Sequence, residues 1–172
     1  LPLCDCDLEL CLRKDRMPDD KATCATCNYY GHELLDAFGL EPTPMGELLP
    51  PDCDQPTLPE NPPNAFEYRG VDVAKFAKAT VKRYLKKDFI DYTDGHDRSV
   101  YRRLLRSSML LVDVAHRLFE TYDIHVTIAH HGTYMYGGIY LDAALQYDVP
   151  SLTVKTGYLD QSLQFGNNRN RC

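Results

Sequence analysis

Eight of the eleven prolines of this chain fall between residues 41 and 67: Pro42, Pro44, Pro50, Pro51, Pro56, Pro59, Pro62 and Pro63. Each fixes its own φ and removes one amide donor, so the stretch sustains neither a long helix nor a central strand. It reads as an extended loop or linker and divides the chain into three zones. Residues 1–40 are Cys-rich, residues 41–67 are the Pro-rich loop, and residues 68–172 carry the periodic patterns of regular structure. A length of 172 residues suffices for one well-filled core and is short for two.

The third zone reads as α/β. Val73, Ala74, Phe76, Ala77, Val81, Tyr84 and Leu85 recur at helical spacing and predict an amphipathic helix over about 71–87. Asp94-Gly95 marks a turn. A longer helix follows over about 97–122, with Asp97 as its expected cap and an apolar face of Tyr101, Leu104, Leu105, Leu111, Val112, Ala115, Leu118 and Phe119. The basic stretch from Arg98 to Arg106 is its solvated side. Residues 124–129 form a β-branched run, residues 137–147 a helix opened by Gly137-Gly138, and residues 150–154 a second strand. Strand, helix and strand joined by short connections predict a parallel crossover. The expected fold is α/β, a partial Rossmann-like parallel sheet with flanking helices and a Cys-rich N-terminal segment.

His130-His131-Gly132-Thr133-Tyr134 follows the first of those strands and leads through Gly137 and Gly138 into the helix. Ligands of open α/β sheets bind at such a place, where glycines admit a close backbone and a helix N-terminus attracts anions. Two imidazoles and the two phenols of Tyr134 and Tyr136 suit a hydroxyl-rich or phosphorylated ligand. The glycines do not match a dinucleotide fingerprint. Lys155, Gly157 and Tyr158 leave the second strand on the same sheet edge, so Lys155 or Tyr158 is placed to reach the same ligand. Adjacent histidines on an extended segment point to opposite faces, which argues against a metal-dependent hydrolase built on the pair. Asp91-Tyr92-Thr93-Asp94-Gly95-His96-Asp97 lacks the glutamate that closes a calcium loop and reads as a solvated turn.

Five of the seven cysteines lie in the first 27 residues. Cys24 and Cys27 have a knuckle spacing, and Cys11 with Cys6 or Cys4 would complete a four-sulfur structural zinc site, with His32 as a substitute ligand. One or two disulfides, or reduced thiols, remain open for the same residues. The odd, clustered set differs from an evenly spread disulfide scaffold and points to a cytoplasmic chain.

A formal net charge of −6 and a pI near 5.4 argue against non-specific nucleic-acid binding, which needs a net positive face. No apolar run approaches the roughly 20 residues of a transmembrane segment. The opening Leu1-Pro2-Leu3-Cys4 suggests a processed protein or an excised domain.

Three places resemble surface- or capsular-polysaccharide glycosyltransferases of the two-Rossmann-domain (GT-B) type. They are Cys4-Asp5-Cys6-Asp7-Leu8 through Cys11 with Cys24 and Cys27; Tyr68-Arg69-Gly70-Val71; and His130 to Tyr134 with downstream Asp148-Val149-Pro150-Ser151 and Gly157-Tyr158. The resemblance implies an N-terminal, acceptor-binding domain. In it His130 or His131 serves as base or orients an acceptor hydroxyl, and Gly132, Tyr134, Gly137, Gly138, Lys155 and Tyr158 shape the acceptor cleft. It also implies a nucleotide-sugar donor held by a C-terminal domain that this sequence lacks, and a cytoplasmic chain, peripheral to the membrane at most. Without that domain the chain is not expected to turn over. The alternative is a non-enzymatic, zinc-stabilised binding module, tyrosine-rich and self-assembling as a homo-oligomer.

Overall fold

The computed structural model describes residues 2–4, 8, 10, 20–49, 57–58, 65–156 and 163–167. Two compact units divide the chain, residues 1–55 and 56–172.

In the first unit, β1 (Pro2–Leu3) pairs in parallel with β2 (Thr43–Pro44). Between them α1 (Asp20–Ala37) is an 18-residue helix that carries Cys24 and Cys27. Gly39 ends it in the left-handed region at φ +64°, where Leu40 N–H closes back on the Leu35 carbonyl at 2.9 Å. Leu34 on this helix and Phe38 just after it are 60% and 72% exposed. Within the Pro-rich stretch, the one-turn helix α2 (Met45–Leu48) starts directly after Pro44 and buries Met45 and Leu48. Proline is well suited to that place, because the first turn needs no amide donor there. The stretch therefore holds short elements as well as loop.

The second unit opens with a hairpin of β3 (Glu67–Tyr68) and β4 (Val71–Asp72). Arg69 and Gly70 both have positive φ, +48° and +78°, as a two-residue hairpin turn of matching twist requires. Helix α3 (Val73–Leu85) is capped by the Asp72 carboxylate, which accepts from Lys75 N–H. Helix α4 (Gly95–Thr121) is 27 residues long, and its cap is Asp94, which accepts from Asp97 N–H at 2.8 Å. That corrects the expected cap by three residues. Asp97 lies in the first turn instead, wholly buried, where its carboxylate takes Lys87 Nζ at 2.8 and 3.0 Å and Asp91 N–H at 3.1 Å.

Helix α5 (Met135–Gln146) links β5 (Thr127–Ala129) to β6 (Ser151–Thr156), which pair in parallel, Ile128 opposite Leu152. β7 (Leu163–Asn167), absent from the sequence-based expectation, pairs antiparallel with β6. The fold is mixed α/β with small sheets, the largest being this three-stranded sheet of order β5-β6-β7. Helix α5 is apolar around most of its circumference because it packs against β5 and β6 as well as α3 and α4. Its Met135, Ile139, Leu141, Ala143 and Ala144 join Phe76, Val81, Tyr101, Leu104 and Val112 in the core. Ile128, Leu163 and Phe165 on the other face of the sheet are 63%, 58% and 66% exposed. No helix among the described residues is long and apolar enough to cross a membrane.

Candidate functional site

A cavity of roughly 600 Å³ opens at the carboxyl ends of the parallel pair. The turn after β5 contributes His130, His131, Gly132 and Thr133, β6 contributes Thr153 and Lys155, and β7 contributes Gln164, Phe165 and Gly166. Among the described residues the lining thus carries two imidazoles, two hydroxyls, an amide and an ammonium, and no carboxylate. Lys155 lies two residues beyond Thr153, the partner of Ala129, so alternation along β6 brings it to the same face, next to the turn.

Glycine shapes the turn at two points. A Cβ at Gly137 would collide with the His131 carbonyl oxygen, and one at Gly138 would collide with the Phe76 ring and lie 2.7 Å from the Gly132 oxygen. Both glycines stand behind the cavity rather than in its lining, and their role is the close packing of turn, helix and core. Tyr134 is the N-cap of α5 but makes no side-chain cap bond. The cap is supplied from outside: the Thr80 hydroxyl on α3 accepts from Met135 N–H at 3.1 Å while donating to the Phe76 carbonyl at 2.8 Å.

The rings of the turn lie against one another, which corrects the expectation that adjacent histidines face apart: the chain bends at His130 and is not extended there. His130 and His131 have centroids 4.9 Å apart, and the Tyr134 ring meets His131 edge-on at 4.9 Å. The Arg83 guanidinium lies over the Tyr134 ring, 4.8 Å from its centroid. Burial, then His130, then Arg83 push the His131 proton affinity below that of an ordinary imidazole. The ring is therefore neutral at pH 7 and can accept a proton. Its Nδ1 is buried and has no hydrogen-bond partner outside its own residue among the described residues.

No protein-family model, curated protein or solved structure matches this chain.

Of the residues singled out from sequence, His130, His131, Gly132 and Lys155 come together in the cavity wall, and Tyr134 backs His131. Tyr158, Cys6 and Cys11 lie outside the described residues. Cys24 and Cys27 are half-buried one turn apart on α1, and no group of three or more metal-ligating side chains occurs among the described residues. Sequence reasoning named Thr133 within the turn without giving it a role, and missed Thr153, Gln164 and Arg83. Thr153 and Gln164 reach the site through strand pairing and Arg83 through its place on α3 against Tyr134, and only the alternation of Leu163, Gln164 and Phe165 marks the strand that brings Gln164.

A second polar cluster sits at the opposite end of α5. Asp113, 7% exposed, accepts from Arg69 at 2.9 Å and from the Tyr68 hydroxyl at 3.1 and 3.2 Å. His116 Nε2 lies 3.2 Å from the Arg69 carbonyl and Nδ1 lies 2.7 Å from the Tyr147 hydroxyl. A carbonyl only accepts, so Nε2 donates; the single Tyr147 hydroxyl proton lies between the neutral ring's Nδ1 at 2.7 Å and Glu120 Oε1 at 3.2 Å. With Gln146 donating to the same carbonyl at 3.2 Å, the network fastens the β3–β4 turn to α4 and α5.

Proposed function

We propose that the cavity beside the His130–His131 turn is the acceptor site of a sugar-transferring enzyme of the surface-polysaccharide, two-Rossmann-domain kind. The parallel β5–α5–β6 unit is part of its Rossmann-like acceptor domain. The observation that carries this reading is the lining itself, in which His130, His131, Thr133, Thr153, Lys155 and Gln164 converge at the carboxyl ends of a parallel strand pair. Many short polar groups around one concavity suit a ligand that is mostly hydroxyls, and strand ends of this kind are where α/β sheets hold ligands.

In this reading the neutral His131 ring takes the proton of an acceptor hydroxyl as that oxygen becomes nucleophilic, and His130 orients the same hydroxyl. Thr133, Thr153 and Gln164 hold neighbouring hydroxyls, and Lys155 takes an anionic substituent. The donor is a nucleotide sugar, bound by a further domain beyond this sequence, in a cytoplasmic chain. Cys24 and Cys27, one helical turn apart, have a spacing that lets two thiolates share one ion, and with Cys6 and Cys11 they would hold a structural zinc.

The test is binding of the chain to a panel of immobilised oligosaccharides. Selective capture of a subset is expected. His131→Ala and Lys155→Ala should each weaken it about tenfold, the loss of one hydrogen bond of roughly 1.4 kcal/mol. Absence of any capture, or capture indifferent to both substitutions, contradicts the reading.

A second reading, a zinc-stabilised binding module that self-assembles, is favoured by the exposed Ile128, Leu163 and Phe165. It predicts concentration-dependent association in sedimentation that Phe165→Ser abolishes.

A further inference from the structure

We propose that Arg83, which lies outside the cavity lining, is a positioning residue for His131, acting through the Tyr134 ring. Phe76, Thr80 and Arg83 recur at i, i+4 and i+7 along α3 and so form one stripe. Each meets the segment after β5 at a different point. Phe76 fills the space left by the missing Cβ of Gly138, Thr80 caps the Met135 amide, and Arg83 covers Tyr134. The first two fix the backbone of the turn. The third acts on its side chains, because the Tyr134 ring under Arg83 makes a T-shaped contact with the His131 imidazole.

This arrangement has a chemical consequence. An exposed guanidinium lies one ring away from His131, over Tyr134. Among the described residues, the other titratable or charged groups around that imidazole are His130 and Tyr134 in its own segment and Lys155 on β6. Arg83 is positive and lies over the ring that touches His131, so its field opposes a second proton there. The direction of the His131 shift, with Arg83 among its causes, agrees. Arg83 thereby both orients the ring and keeps its lone pair available. The role in acceptor activation rests on the reading above; the geometric and electrostatic role does not.

The experiment is a pH titration of the His131 ring signals in the full chain, followed by NMR, for the unsubstituted protein, Arg83→Gln and Arg83→Lys. Arg83→Gln should move the His131 midpoint upward and weaken the Tyr134–His131 ring contact, while the His116 midpoint, lowered first by burial and then by Arg69, stays where it was. Arg83→Lys should restore most of the midpoint through its charge and less of the ring contact, since an ammonium lacks the planar stacking face. A His131 midpoint unmoved by Arg83→Gln overturns the proposal, as does an equal shift of His116, which would mark general loosening. If Arg83→Gln fails to fold, salt supplies the second measurement. Raising ionic strength shortens the screening length to about 3 Å at 1 M. The unsubstituted His131 midpoint should then rise, and a salt-independent midpoint overturns the electrostatic half. Because no sugar is involved, failure here is distinguishable from failure of the acceptor-site reading.

Discussion

Gly137 lies directly beneath the carbonyl oxygen of His131, so closely that a Cβ at position 137 has no room. The opposing atom is backbone and cannot rotate away, so Gly137→Ala must displace the turn itself. The expected result is a loss of about 1–3 kcal/mol of stability, with the His131 ring signals shifted relative to the unsubstituted chain. Thermal melts together with the histidine region of the NMR spectrum check both.

Gly138 tests the neighbouring contact, and there the obstacle is partly a side chain. Gly138→Ala should destabilise by about 1–3 kcal/mol through overpacking against Phe76. Phe76→Leu alone should also destabilise, as a shortened core residue. Combined, the two should cost less than their sum, because the smaller side chain makes space for the new methyl. A double-mutant cycle measures the coupling; strict additivity would mean the two positions do not share that space.

Arg69 and Asp113 fasten the hairpin turn. Arg69→Ala removes the 2.9 Å partner of a carboxylate that is only 7% exposed and leaves it to Tyr68. A loss of about 1–3 kcal/mol is expected. Arg69→Gly should cost less than Arg69→Ala, because position 69 has φ +48° and glycine adopts that conformation without strain. Chemical denaturation ranks the three chains.

Stability should fall with acid in two steps. His116 and His131 both hold protons less tightly than a free imidazole, in each case first because of burial; Arg69 adds to this at His116, and His130 and Arg83 at His131. The unfolded chain then binds protons near pH 6.5 that the folded chain refuses. This contribution is complete above about pH 6.5 and is lost as pH drops through the depressed folded values. Asp97 is also depressed, chiefly by its bond to Lys87, so a second loss begins below the ordinary carboxylate value and proceeds as pH falls further. His116→Gln should flatten the first step and Asp97→Asn the second, as read from Tm between pH 3 and 8.

How much of this the residues announced depends on range. Helices α3 and α4 were legible because Val73 to Val81 and Val100 to Phe119 repeat an apolar face over several turns. The β5–α5–β6 unit was legible because short strands flank an apolar helix, although only Thr127–Ala129 of the expected 124–129 run pairs as strand. The cap of α4 was misread because Asp94 and Asp97 are equally good capping residues. What separates them is Lys87 and the Asp91 amide, which draw Asp97 into the interior. Strand β7 lacks a β-branched run, and Leu163-Gln164-Phe165-Gly166 becomes a strand through pairing with β6. The His130–His131 turn was found from glycine and imidazole chemistry, whereas Thr80 and Arg83, some fifty residues away, look like ordinary helix-surface residues until α3 meets α5.

The most direct test of the central claim uses the chain's six histidines as reporters. An acceptor-type oligosaccharide is titrated into the protein while all six ring signals are followed by NMR. The acceptor-site reading predicts saturable movement of His130 and His131, with His32, His96, His116 and His125 unmoved. Histidine signals that stay fixed for every oligosaccharide tested, or that all drift together, would contradict it.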